Sequence, residues 1–231
     1  FYYLLYMSQS SKGGSKVKHH SSRPKRRKGS VTPSDILISA AIMGDLTKLT
    51  ELVEDGLSVH STNEEGNTPL HHCAEHGHLP MVKFLVEKNA CVDTSNKSST
   101  SPLHVAVVNG NADIVSFLIK NNANIDHQDI GGHTALHWAV TARKRKIMKI
   151  LLKANANPNC VDNNGASPLH LAVGHEKEYI VQLLIKYKAD IELKTNLDGH
   201  APLHIACANN RAQIASLLLD KNADANTKDK S

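Results

Sequence analysis

Fifteen histidines and four cysteines in a chain of 231 residues raise metal binding and thiol chemistry first, since imidazole and thiolate are common ligands and nucleophiles. His71, His72, His76 and His78 stand close together, but nothing pairs them with cysteines at the spacing of a zinc site. Adventitious metal capture by that cluster is the alternative. The cysteines form no CxxC. Cys73 and Cys207 fall at small-residue positions of helices and read as buried thiols in a reducing compartment. Cys91 and Cys160 fall in loops and lack the His and basic neighbours of a nucleophile. There is no glycine-rich phosphate loop and no carboxylate pair above background. No catalytic, cofactor-binding or metal-binding residue is therefore assigned, and the chain is expected not to be an enzyme. One charged run stands apart, Arg143-Lys144-Arg145-Lys146. It could meet an acidic partner, a phosphoinositide head group or RNA; the plainer reading is a solvated turn compensated by nearby Asp and Glu.

The elements behind these residues repeat. Thr68-Pro69-Leu70-His71, Ser101-Pro102-Leu103-His104, Thr134-Ala135-Leu136-His137, Ser167-Pro168-Leu169-His170 and Ala201-Pro202-Leu203-His204 share one tetrapeptide. The first four leucines lie 33 residues apart and Leu203 follows after 34, a fixed period that marks an array of small units. A Ser or Thr before Pro is a helix start: the hydroxyl accepts from an orphan N–H, and Pro lacks only a donor that would go unpaired. A second helix follows each time, as in Ile114-Val115 with Leu118-Ile119 and Ile147-Met148 with Leu151-Leu152, whose apolar residues recur at helical spacing. Asn89, Asn122, Asn155, Lys188 and Asn222, each before Ala, close the pairs, and Asn tolerates the left-handed conformation of a helix C-cap.

Period and tetrapeptide together resemble the ankyrin repeat. The resemblance implies an all-α repeat solenoid: a stack of helix pairs joined by β-hairpin-like loops, in which the tetrapeptide histidines hydrogen-bond between neighbouring units. The expected units are 34–62, an atypical N-terminal cap with Asp35 in the capping place, then 63–95, 96–128, 129–161, 162–195 and 196–228. The one extra residue falls between Asp190 and His200, in a connecting loop. Trp138, the only Trp, is expected to pack between repeats; ligand stacking is the alternative.

The family binds other proteins through its loop tips and the exposed face of each first helix, which line a concave groove. Carried over residue by residue, those positions are Glu64, Glu65, Asn67, Glu75 and His76, then Lys97, Ser98, Thr100, Val108 and Asn109. Ile130, His133, Thr141 and Ala142 follow, then Asn163, Asn164, Ala166 and His175, and last Leu197, Asp198, His200 and Asn209. Val108, Ile130 and Leu197 are the candidate hot spots, because exposed aliphatics favour contact; scattered apolar residues without a role are the alternative.

Residues 1–33 differ in composition and are expected to form a disordered basic tail. Phe1–Tyr6 is apolar and too short to span a bilayer. It is either sequence upstream of an initiator Met7 or the end of a longer apolar segment. Of the 27 basic and 22 acidic residues that make the chain +5, eight basic and no acidic ones lie before residue 34. Residues 34–231 then hold 19 against 22, about −3, so no specific nucleic acid is expected. Arg23, Lys25, Arg26, Arg27 and Lys28 resemble a short signal for an import receptor; a solvated tail or contacts to lipid or RNA are the alternatives. Ser30 and Thr32, the latter followed by Pro33, resemble phosphorylation sites.

Residues 226–231 line up with the opening of a further unit, and the Leu217–Leu219 helix is as apolar as an internal one, so the natural protein is expected to continue. Two function classes follow. The first is an intracellular, monomeric protein-binding scaffold, in cytoplasm or nucleus, of the kind that holds or escorts transcription factors. The second is the recruiting arm of a larger enzyme or channel.

Overall fold

The computed structural model describes residues 32–175 and 178–230. The expectations for residues 1–31, including the import candidate and Ser30, lie outside the described residues. Among the described residues there are twelve helices and no strand, arranged as six pairs. They are α1 Pro33–Met43 and α2 Leu46–Glu54, α3 Pro69–His76 and α4 Leu79–Glu87, α5 Pro102–Asn109 and α6 Ala112–Lys120. The series continues with α7 Ala135–Thr141 and α8 Arg145–Lys153, α9 Pro168–Gly174 and α10 Glu178–Lys186, α11 Pro202–Ala208 and α12 Ala212–Asp220. First helices pack on the first helices of neighbouring units, and second helices form a second layer behind them.

The core lies between these layers. Leu70, Leu103, Leu136 and Leu169 are at most 1% exposed, as are Cys73, Ala106, Ala139 and Ala172, whose small side chains let the layers approach. Each such leucine contributes roughly 1.5–3 kcal/mol by burial. Leu85, Leu118, Leu151, Leu184 and Leu218 close the core from the second helices. Cys73 is fully buried, which pushes its thiol up to about 12. Cys207 is exposed, against expectation. It holds the place of Ala74, Val107, Val140 and Val173, each 0% exposed because the next unit covers it. No described unit lies over Cys207.

Helix ends follow the expected chemistry with two corrections. At α5, α7 and α9 the hydroxyls of Ser101, Thr134 and Ser167 make no cap bond to a helix N–H and stand 2.8–2.9 Å from a histidine Nδ1 instead. Asn89, Asn122, Asn155, Lys188 and Asn222 all adopt φ between 64° and 67°, so even the lone lysine accepts the left-handed conformation. At α1 the N-cap is Thr32, not Asp35. Asp35 sits three residues on, where its Oδ2 accepts from the Thr32 N–H at 2.9 Å while its own N–H donates to Thr32 Oγ1 at 3.1 Å. The first unit is also less polar than a capping unit is expected to be, with Met43 78% and Ile36 40% exposed.

Candidate protein-interaction surface

Each unit after the first opens with a hairpin closed by one backbone bond. Asn63 N–H donates to Asn67 O, Asn96 to Thr100, Asp129 to His133 and Asp162 to Ala166, at 2.9–3.1 Å. In the last unit Thr195 N–H donates to His200 O at 3.0 Å, one residue farther on. The extra residue of the 34-residue spacing is therefore inside the hairpin tip. The side chain that opens each hairpin accepts from two N–H groups of its own tip: Asn63 Oδ1 from Glu65 and Asn67, Asn96 Oδ1 from Ser98 and Thr100, and the Asp129 and Asp162 carboxylates likewise. Sequence reasoning missed this column. Its signal was a recurrent Asn or Asp five residues before the capping Ser or Thr. Thr195 is the weak member, accepting only from His200 N–H at 3.0 Å.

Neighbouring tips are joined in turn. Lys97 N–H donates to Glu65 O, Ile130 to Ser98, Asn163 to Gly131, Asn196 to Asn164 and Lys230 to Asp198, all at 2.9–3.0 Å. Gly165 is required at such a junction: its φ is +79°, and a Cβ there would stand 2.5 Å from Asn196 N. Beneath the tips runs the histidine relay. In His71 the Nδ1 accepts from Thr68 N–H at 3.1 Å, which leaves Nε2–H to donate to Thr100 O at 3.0 Å. His104, His137, His170 and His204 repeat this toward the carbonyls of His133, Ala166, His200 and Thr227 at 3.1 Å. Burial holds His71, His104 and His137 down to about 4 against their carbonyl bonds, and lowers His170 in the same way. These rings are neutral structural donors.

The Asn67, Thr100, His133, Ala166 and His200 column is the place where sequence reasoning needs correcting. Except for Asn67, whose unit is preceded by no tetrapeptide, its carbonyls receive the relay; the side chains of Thr100 and His133 turn into the ladder, while Asn67, Ala166 and His200 are half-buried. Thr100 is 4% exposed, and Asn67 Oδ1 accepts from Asn96 Nδ2 at 2.8 Å. His133 bridges two units, with Nδ1 3.2 Å from Asp129 and Nε2 3.5 Å from Asp162. Burial opposes all three charges, but the two carboxylates push His133 up to about 9 and its hydrogen bonds hold both carboxyls below their ordinary range. Trp138 Nε1–H donates to Asp129 Oδ2 at 2.9 Å and packs edge-on against His104, so its place is between repeats. His200, half-buried, stands 3.6 Å from Asp229.

The rest of the predicted surface is accessible. Glu64, Glu65, Lys97, Asn163, Asn164 and Asp198 are exposed on the tips, and Glu75, His76, Asn109 and Asn209 at the ends of first helices. Ser98, Val108, Thr141, Ala142 and His175 are half-buried. Ile130 and Leu197 stand out at 60% and 74% exposed. The N-terminal end is acidic, and a hydrogen bond from His72 holds Glu75 below the usual carboxylate range. The histidine cluster does not converge: His72 faces Glu75, His76 meets His78 edge-on, and His78 Nε2 lies 3.2 Å from Ile42 O. No group of three or more potential metal ligands occurs among the described residues. No described helix is long and apolar enough to cross a membrane.

The basic run is put to structural use. Arg143 takes φ 56° where Gly44, Gly77 and Gly110 end other first helices. Lys144 packs against Gly110, at the C-terminal end of α5, where a cation is favoured. Arg145 lies over the Tyr179 ring, 5.1 Å from its centre, and Lys146 is 4.0 Å from Asp113.

Comparison with curated proteins found no match. A family model for ankyrin repeats, three copies long, matches residues 37–129, 94–162 and 136–229, which together run from the first helix to beyond the last. With six stacked helix pairs, a hairpin before each of the last five and the relay between them, the chain belongs to the ankyrin-repeat family.

Proposed function

We propose that this protein is a non-enzymatic scaffold that binds another protein along its hairpin tips and the exposed ends of its first helices. The observation that carries this is the pair Ile130 and Leu197. Each is a large aliphatic side chain exposed on a tip, and in both tips the backbone is bonded to a neighbouring unit: Ile130 N–H to Ser98 O, and Asp198 O from Lys230 N–H. Aliphatics held rigidly in solvent give up little conformational freedom on contact and gain by desolvation. Glu64, Glu65 and Glu75 at the other end suit a partner that is basic there. The binding set is Glu64, Glu65, Glu75, His76, Lys97, Val108, Asn109, Ile130, Thr141, Asn163, Asn164, His175, Leu197, Asp198 and His200, without Asn67, Thr100 and His133, whose side chains are buried or taken up by neighbouring tips.

A photo-crosslinking residue placed at 97, between the acidic end and Ile130, or at 164, between the two anchors, should capture a partner from cells. Ile130→Asp with Leu197→Asp should abolish that capture while the far-ultraviolet spectrum is kept. Capture of the same proteins by the double variant would sink the proposal. The basic tail supports a nuclear address and an import receptor as a second partner. Residues 8–31 fused to a fluorescent protein should concentrate in nuclei, and should cease to do so when Lys25, Arg26, Arg27 and Lys28 become Ala.

A further inference from the structure

The layer of second helices carries a charge pattern that neither the fold nor the hairpin surface uses. In α8, Ile147, Met148, Leu151 and Leu152 are buried, while Lys146, Lys149 and Lys153 lie together on the opposite face at helical spacing and are exposed. The 33-residue period sets like positions side by side on neighbouring helices. Lys120, Lys153 and Lys186 form one such row across α6, α8 and α10, and all three are exposed. Axes of packed helices lie roughly 10 Å apart, so the cations cover a broad face and not a single edge. Residues 34–231 as a whole are about −3, which makes this face a local excess against the trend of the body. Among the described residues Asp113, 4.0 Å from Lys146 and itself 83% exposed, is the acidic group in ion-pair reach of this stripe.

Beside the row, α4 and α6 enclose a shallow notch of about 240 Å³. Leu79 and Phe117 line it with apolar surface, and Lys83, Ser116 and Lys120 complete its rim with Asp113. An apolar recess edged by ammonium groups has two demands: one apolar side chain to fill it, and anions on either side.

We propose that this face is a second docking surface, for an acidic protein segment carrying a single large apolar anchor. The anchor enters the notch, and carboxylates beside it meet Lys83, Lys120 and the α8 stripe. The recess favours a peptide over a membrane, because a head group gains nothing from an apolar floor and an acyl chain would have to leave the bilayer to reach it. Lysine supplies the outlying charges, and an ammonium lacks the planar fork by which arginine selects phosphate. A carboxylate-rich segment therefore fits better than a nucleic acid backbone.

The test uses the full chain in a background with Lys25, Arg26, Arg27 and Lys28 changed to Ala, so that the tail contributes equally to every measurement. The probe is a short fluorescein-labelled peptide of Glu and Asp with one central Trp, read by anisotropy. Lys149→Glu with Lys153→Glu should weaken binding by about tenfold or more. Replacing the peptide's Trp by Ala, or filling the notch with Ser116→Phe, should each weaken it severalfold. Thermal melts of the variants, whose changed residues point outward or line the rim, should match the parent. Unchanged affinity in the lysine variant would overturn the proposal, as would equal affinity for the peptide without its anchor. Tighter binding of a single-stranded RNA oligonucleotide or of phosphatidylserine vesicles, lost in the same variant, would assign the face to nucleic acid or lipid and overturn it too.

Discussion

The third and last full units share the Leu-His of the repeat in different surroundings. In the third, Leu136 and His137 are fully buried, Val140 is 0% exposed and Leu152 3% exposed. Its hairpin is pinned by Asp129, Trp138 and the His133 bridge to Asp162. In the last, Ala201 has no hydroxyl to cap with, and only its N–H reaches His204 Nδ1, at 3.0 Å. Leu203 is 8% exposed, and Cys207 and Leu219 stand in the open where Val140 and Leu152 are covered. Repeat residues thus specify a helix pair, but the neighbouring unit supplies the burial. Stability in such an array is close to a sum of unit and interface terms.

Acid should break this contrast most strongly. His71, His104 and His137 are held at about 4 when folded, against 6.5 when unfolded. The unfolded chain therefore takes up their protons first, so stability is full above about pH 6.5 and falls as pH drops toward 4, by on the order of 3 kcal/mol per histidine. Trp138 fluorescence, which reports the third unit, should lose its native position at or before the pH at which helical dichroism is lost. A Trp138 signal that outlasts the helices would refute the neutral relay.

Direct excision comes next. Leu136→Ala with His137→Ala should cost roughly 2–5 kcal/mol for the leucine alone and uncouple the two ends. Leu203→Ala with His204→Ala should cost less, since Leu203 is less deeply buried than Leu136 and His204 is half-buried. Hydrogen exchange in the purified chain ending at Ser231 should be fastest, among the helices, over residues 203–222 and slowest over 136–152. Equal protection would mean that the terminal interface is not the weak one.

The alkaline limb is smaller and belongs to the third unit. His133, raised to about 9 when folded, stabilises fully below about pH 6.5 and loses that contribution as pH rises toward 9. Asp129→Asn with Asp162→Asn should flatten this limb of the melting curve while keeping the hairpin, because Asn already opens two hairpins at positions 63 and 96. A limb unchanged in that variant would place the titration elsewhere. The smallest effect is a gain: Arg143→Gly should stabilise by about 1 kcal/mol, because Arg143 occupies a left-handed φ of 56°. Asn210→Gly, at a φ of 55° in the last unit, should gain less because Asn tolerates that conformation. Equal gains would show that strain at 143 is not specific to arginine.

The fold was legible because its determinants are local and repeated: hydroxyl before Pro, small residue in the first helix, Asn at the left-handed closure. The hairpin-opening column was less so. Asn63, Asn96, Asp129, Asp162 and Thr195 differ in identity and share only an acceptor oxygen, which a pattern of residue names hides. Thr100 and His133 looked like surface because loop residues are usually exposed, but their carbonyls receive the relay and draw them inward. Cys207 failed for the opposite reason: position alone suggested burial, and burial depends on what lies over it. Of the α8 lysines only Lys146 was visible in the sequence, as the end of a charged turn, while the alignment of Lys153 with Lys120 and Lys186 emerges only when the units are stacked.

The bonds between units also bear on how such a chain can change length. From the second unit onward each junction uses the same atoms, a ring nitrogen reaching forward to a carbonyl and a tip N–H reaching back to the preceding tip. A gene duplication or loss that removes or adds one whole period re-forms every junction without new side chains. A single-residue insertion survives at a tip such as Thr195–His200 and fails anywhere the ring must find its carbonyl. Recombination can therefore vary the length of this protein in steps of one unit, while point insertions are confined to the tips, where they reshape the exposed loops.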